Sequence, residues 1–168
     1  MLLSPIPRGV YPSVTAIAPA ALARKGVRLV LADLDNTLVP YGVTVPPPEI
    51  VAWKEDLETH GVRLFLLSNS RRPGRAQNFA EQLGIPYQGH SGKPKPGGYQ
   101  KALARMGCRP EETVMVGDQI FTDTLGANLS GVTPLLVQPI RLAGNPGRYL
   151  RYAAETPFRL LGSRRPFL

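Results

Sequence analysis

Four short apolar runs punctuate the chain: VRLVLAD over 27–33, VRLFLLS over 62–68, TVMVGD over 113–118 and VTPLLV over 132–137. Each is short, rich in valine and leucine and bounded by polar or turn residues, so each predicts a buried strand. Between them, apolar residues recur at helical spacing over Pro48 to Thr59, Pro73 to Leu83, Pro96 to Met106 and Phe121 to Leu129. Several of these stretches open near a proline and close near a glycine, at Gly61, Gly84, Gly107 and Gly131, a common marking of helix ends. Strands alternating with helices predict an α/β fold, a three-layer sandwich whose mainly parallel sheet is covered on both faces. Ligands in such sheets gather at the carboxyl ends of the strands. The polar residues cluster there: Asp33 and Asp35 after the first run, Ser68 and Asn69 after the second, Gly117 and Asp118 after the third.

Length and composition narrow the picture. A chain of 168 residues has the common size of one domain and can bury a hydrophobic core unaided. One domain is therefore expected over 1–168, with basic extensions at 1–28 and 141–168. The single cysteine, Cys108, excludes an internal disulfide and a multi-cysteine zinc site and fits a reducing, cytoplasmic setting. The longest apolar runs, 14–23 and 132–137, fall far short of the ~20 residues a spanning helix needs. The stretch APAALA imitates a signal-peptide cleavage site, but Pro12 and Pro19 interrupt what precedes it, and secretion is not expected.

The net charge is +8, and it sits at the ends. Residues 1–28 carry Arg8, Arg24, Lys25 and Arg28 without an acid, and residues 141–168 carry six arginines against Glu155 alone. Two readings stand side by side. Cationic ends suit an anionic surface such as acidic lipid or nucleic acid, giving a cytoplasmic protein peripherally associated with a membrane. Equally, scattered surface arginines confer solubility and nothing more. The tail mixes Arg148, Arg151, Arg159, Arg164 and Arg165 with Tyr149, Leu150, Tyr152, Phe158, Leu160, Leu161, Phe167 and Leu168, a composition suited to a headgroup boundary.

The segment DLDNT, Asp33 to Thr37, sets two carboxylates two residues apart at a strand end. Alone, such a pair is often a turn or a helix cap. GDQIFTD adds Asp118 at another strand end and Asp123 five residues later on a loop or first helical turn, and the two acidic clusters together suit a hard cation such as magnesium. Ser68 and Asn69 offer donors to a phosphate, and Lys93 in GKPKPGGY offers a mobile positive charge. His60 and His90 lack partners at metal-ligand spacing, and Trp53, Tyr149 and Tyr152 suit packing better than a cofactor.

The ordered set DLDNT, LLSN, KPKPGGY and VGDQIFTD resembles the four motifs of haloacid-dehalogenase-like (HAD) phosphatases across roughly residues 28–130. The longer context, SVTAIAPAALARKGVRLVLADLDNTLV with GDQIFTDTLGAN, is similar to the YqeG-like branch of subfamily IIIA and to phosphatidylglycerophosphate phosphatases. The resemblance implies a HAD-like Rossmannoid fold and a phosphatase requiring Mg2+. Asp33 would be the nucleophile and Asp35 the general acid and base, a role that needs a proton on Asp35 when the leaving oxygen departs. Thr37, Ser68 and Asn69 would bind phosphoryl oxygens, and Lys93 would neutralise charge beside the nucleophile. Asp33, Asp118 and the Asp35 carbonyl would hold the metal, with Asp123 acting through the metal's water shell or by orienting Lys93. Lys95 competes with Lys93, but the family's aromatic residue sits six positions after its lysine, and Tyr99 fits Lys93.

HAD enzymes with small substrates often carry a cap domain, and neither inter-motif gap here has room for one. The site should be open to a bulky or surface-fixed phosphate monoester, with phosphatidylglycerophosphate favoured. The alternatives are a nucleotide, sugar phosphate or phosphoprotein substrate, or a non-catalytic RNA- or protein-binding module on the same scaffold. No interleaved aromatic and basic strand signature supports RNA binding, and no specific nucleic acid is expected.

Overall fold

In the computed structural model, residues 4–72, 74–141, 146–164 and 167 are described. The strands are β1 (Gly9–Tyr11), β2 (Leu29–Ala32), β3 (Arg63–Leu67), β4 (Tyr87–Gln88), β5 (Thr113–Gly117) and β6 (Thr133–Val137). They form a six-stranded sheet in the order β1-β6-β5-β2-β3-β4, and every pairing is parallel. Strand β2 lies at the centre, fully buried along its length. Its alternation feeds two cores. Val30 and Ala32 face one layer with Trp53, Leu57 and Phe79, while Leu29 and Leu31 face the other with Tyr99, Leu103 and Ala127. These are the two helical layers expected around a parallel sheet.

The helices are α1 (Pro19–Arg24), α2 (Pro48–Thr59), α3 (Arg75–Leu83), α4 (Gly97–Met106), α5 (Leu125–Leu129) and α6 (Pro146–Ser163). The expected helix over 48–59 appears with those bounds. Pro73, the expected start of the next, lies outside the described residues. The left-handed Gly74 (φ 71°) precedes Arg75, where α3 begins. Over 121–129 a widened π-type turn, Ile120–Thr124, comes first and only Leu125–Leu129 is regular α-helix.

Four short or unusual elements had no expectation: β1, α1, β4 and α6. β4 extends the sheet beside β3, while β1 and α6 bring the two ends of the chain together. β1 pairs with β6, Asn128 Nδ2 donates to the Ser4 carbonyl, and the Lys25 ammonium stands 4.8 Å from the Phe167 ring. Gly162 of α6 lies against Pro7 so closely that a β-carbon would come within 2.4 Å of its ring. Between Asp35 and Ser68 the described chain forms a loop, α2 and β3, and between Ser68 and Lys93 it forms α3 and β4, so no cap domain stands over the strand ends. Among the described residues no helix is long and apolar enough to cross a membrane.

Candidate active site

The carboxyl ends of β2, β3 and β5 deliver their polar residues to one pocket, a cavity of about 650 Å³. Asp33 follows β2, and its backbone N–H donates to the Val116 carbonyl, which fixes it against β5. Carboxylate oxygens of Asp33, Asp118 and Asp123 all lie within 4.8 Å of one another, and all three residues are buried. Gly117 makes that approach possible. A β-carbon there would fall 2.2 Å from Asp123 Oδ2, so the glycine of VGD is required by the acid that folds back over it.

Lys93 is the cation among these acids. Its ammonium lies 2.7 Å from Asp33 Oδ1 and 2.8 Å from Asp123 Oδ1, and it also donates to the Leu67 carbonyl. Lys95 is exposed. Asn69 holds the Lys93 loop: its Oδ1 accepts from Ser91 Oγ and from the Lys93 backbone N–H, and its Nδ2 donates to the Lys93 carbonyl. Tyr99 packs behind, its hydroxyl donating to the Asp123 carbonyl. Thr37 Oγ1 donates to Asp118 Oδ1 at 3.3 Å, and Ser68 Oγ accepts the Ser70 N–H at 3.1 Å.

One ammonium does not balance three buried carboxylates. Burial, with Asp123 and Asp35 nearby, pushes Asp33 from 3.8 up to about 6 despite the opposing pull of Lys93. Burial and the charges of Asp123 and Asp33 raise Asp118 well above the usual carboxylate range. The same two carboxylates hold the Lys93 ammonium well above its ordinary value, outweighing its desolvation. Acids that resist ionisation beside one another are what a divalent cation relieves, and all-oxygen ligation suits magnesium. The donor set therefore fits a hard divalent cation.

Asp35 stands apart from the trio. Arg75 grips it, with Nε 3.1 Å from Oδ1 and NH2 making a second, short contact to the same oxygen, while NH1 donates to the Val43 carbonyl. Sequence reasoning missed Arg75, which lies two residues past Pro73, the expected start of a helix, and looks like any helix-start arginine. It also missed Glu155 and Arg159 of α6. Glu155 Oε1 accepts the N–H groups of Ile120 and Phe121, and Arg159 bonds Glu155, the Val137 carbonyl and the Asp118 carbonyl. A buried ion pair thus ties α6 to the loop carrying Asp118 and Asp123. The signal was faint: Glu155 is the lone acid among 28 residues, four before an arginine.

A family profile of haloacid dehalogenase-like hydrolases matches residues 43–131. The chain is 33% identical to probable phosphatase YqeG of Bacillus subtilis over 147 residues, covering 88% of this chain and 84% of that protein. The chain belongs to the haloacid dehalogenase-like hydrolases. It is an enzyme of that family, a phosphatase. It is also 32% identical to phosphatidylglycerophosphate phosphatase 1, chloroplastic, of Chlamydomonas reinhardtii, over 84% of this chain but only 55% of that protein. The fold is shared with the cobalt-bound deoxy-D-mannose-octulosonate 8-phosphate phosphatase of Haemophilus influenzae, with a TM-score of 0.54 at 13% identity over 84% of this chain and 93% of that one.

Proposed function

We propose that this HAD phosphatase is a magnesium-dependent phosphate monoester hydrolase that works through an aspartyl-phosphate on phosphatidylglycerophosphate. The observation that carries the chemistry is the setting of Asp33: a strand-end carboxylate beside Asp118 and Asp123, with one oxygen held by Lys93. Magnesium at Asp33, Asp118 and the Asp35 carbonyl would supply the positive charge that lets a dianionic phosphate approach these acids. Asp33 attacks phosphorus while the ester P–O bond breaks and the leaving oxygen takes a proton from Asp35. Water then attacks phosphorus, gives its proton to Asp35, and releases inorganic phosphate and the Asp33 carboxylate. For this Asp35 must turn from Arg75 toward the ester oxygen, so Arg75 acts as its resting clamp. Thr37 and Ser68 bind phosphoryl oxygens, while Asn69 and Asp123 keep the Lys93 ammonium on the nucleophile.

The lipid reading is supported by the algal relative's name, by the open mouth and by the outer face of α6. Tyr149, Leu150, Ala153, Ala154, Pro157, Leu160 and Leu161 are all exposed and share one helical arc of about 140°. We place that arc against the boundary of an anionic bilayer, making the protein cytoplasmic and peripherally membrane-associated. Not every tail residue serves this role. Arg159 is buried in its ion pair, Phe158 packs edge-on against Phe121, and Phe167 packs on the core, while Arg165 and Leu168 lie outside the described residues.

Phosphate release with magnesium across lipid, nucleotide and sugar monoesters tests the activity. The lipid should give the highest kcat/KM, and a preference for a soluble monoester would replace it. Co-sedimentation with anionic and neutral vesicles tests docking. Equal behaviour toward both, or no effect of Leu150→Glu with Leu160→Glu, would remove the membrane from the reading.

A further inference from the structure

The mouth of the pocket carries charge that the chemistry at its floor does not use. Arg71 and Arg72, from the loop after β3, and Arg148 and Arg151, from the first two turns of α6, line the same cavity as Asp33 and Lys93. Elsewhere among the described residues, buried arginines are matched with acids, as in Arg75 with Asp35 and Arg159 with Glu155. None of these four forms an ion pair with a carboxylate of the described residues.

Neutral groups orient three of them instead. Arg72 and Arg148 stack on the Tyr41 ring, 4.6 Å and 4.9 Å from its centroid, and Arg151 NH1 donates to Gln119 Oε1 at 2.7 Å. Guanidiniums converging on one ring from two separate elements repel each other. An anion between them relieves that repulsion directly. Planar, fork-shaped donors match the paired oxygens of a phosphate.

The direction of the chemistry says where that anion belongs. Displacement at phosphorus runs in line, so attack by Asp33 from the floor sends the ester oxygen toward the mouth. What lies beyond that oxygen meets the arginines. We propose that Arg72, Arg148 and Arg151, with Tyr41 as their platform, form a subsite for a second phosphate-type anion on the leaving-group side of the substrate. The enzyme thereby selects molecules bearing a phosphomonoester and a second phosphate a few bonds away. This rests on the phosphatase reading above and deepens it, since the second anion can be a lipid phosphodiester or a soluble phosphate.

Three soluble substrates with magnesium separate the cases: 4-nitrophenyl phosphate with one anion, short-chain phosphatidylglycerophosphate with a lipid diester, and 1,3-propanediol bisphosphate with no lipid. In Arg148→Gln/Arg151→Gln, and independently in Arg72→Gln, the kcat/KM ratio of a two-anion to the one-anion substrate falls about tenfold or more, carried by KM. A fall confined to the lipid assigns the subsite to a diester headgroup, and a fall for both assigns it to any phosphate. An unchanged ratio, or an equal loss on all three substrates, overturns the subsite. Hydrolysis of none by the unsubstituted protein overturns the phosphatase reading instead. The subsite is then read by calorimetric titration with short-chain phosphatidylglycerol, which carries the diester alone. Binding weakened about tenfold in the double variant supports it, and no binding to the unsubstituted protein overturns it.

Discussion

The floor and the rim of the pocket are built on opposite principles. At the floor, Asp33 and Asp118 are buried at the ends of adjacent parallel strands with Asp123 folded back from the following turn, and each acid has a protein partner in reach. At the rim, Arg71, Arg72 and Arg151 are exposed and come from a loop and from α6, with Arg72 leaning on a tyrosine and Arg151 on a glutamine. The floor is rigid because a residue that follows a fully buried strand has little freedom to move, which suits bond-making geometry. The rim is adaptable, which suits recognition of what varies between substrates. Between the two, beside the Arg151–Gln119 bond, the buried Glu155–Arg159 pair fastens the helix bearing the rim to the loop bearing two acids of the floor.

The sharpest way to separate floor from rim is to remove the nucleophile alone. Asp33→Asn should lower kcat by about 10⁴-fold or more, because an amide cannot form the acyl-phosphate. The fold should survive, since one of three mutually repelling carboxylates is gone. Chelation of magnesium should abolish turnover of the unsubstituted enzyme, and added magnesium should restore it. Normal turnover by folded Asp33→Asn, or full turnover in metal-free buffer verified by elemental analysis, would sink the mechanism.

The link between the two regions should be next in size. Glu155→Ala leaves Arg159 buried without its acid and strips two backbone N–H groups of their acceptor, which should cost about 3–5 kcal/mol of stability in urea unfolding. Limited proteolysis within 146–163 should accelerate together with it. Replacing both partners by apolar residues, as in Glu155→Leu/Arg159→Met, should recover part of the loss, since no lone charge stays buried. A Glu155→Ala protein with unchanged stability and unchanged cleavage would mean that α6 is held by other contacts, and the rim would no longer depend on the floor.

The floor was far more legible than the rim, for identifiable reasons. β2, β3, β5 and β6 are buried on both faces, so each reads as a continuous apolar run, and the acids stand out where it stops. Lys93 could be chosen over Lys95 from the position of Tyr99, whose ring backs the site. α6 inverts the usual code. Its buried positions are Glu155, Arg159 and Gly162, its leucines face outward, and Pro157 stands inside it, so apolar periodicity points away from the core. β1 and β4, at three and two residues, are too short to carry alternation. Arg75 could not be found from spacing, because its partner Asp35 lies 40 residues earlier and only the packing of α3 against the loop after β2 joins them.

The smallest effect is the most specific to the floor, and it concerns pH. In the metal-free protein Asp33 has its value raised from 3.8 in the unfolded chain to about 6. A raised value means the folded state holds the proton more tightly than the unfolded one. The stability from this group is therefore fully present below about pH 4 and is lost as pH rises through about 6. Asp118 is shifted in the same direction. With chelator present, the difference in Tm between the unsubstituted protein and Asp33→Asn should thus move against the unsubstituted protein between pH 4 and pH 7, while carboxylates elsewhere in the fold cancel in the comparison. Magnesium should reverse that trend, because a cation can replace the proton only once the acids are ionised. At a hundredfold excess over its Kd the metal adds about 2.7 kcal/mol, roughly 5–10 °C in Tm for a chain of this size, and this gain should be present near pH 7.5 and nearly absent at pH 5. Equal magnesium shifts at both pH values, or equal shifts in Asp33→Asn and the unsubstituted protein, would place the metal away from the three acids and leave the raised Asp33 without a cation to explain it.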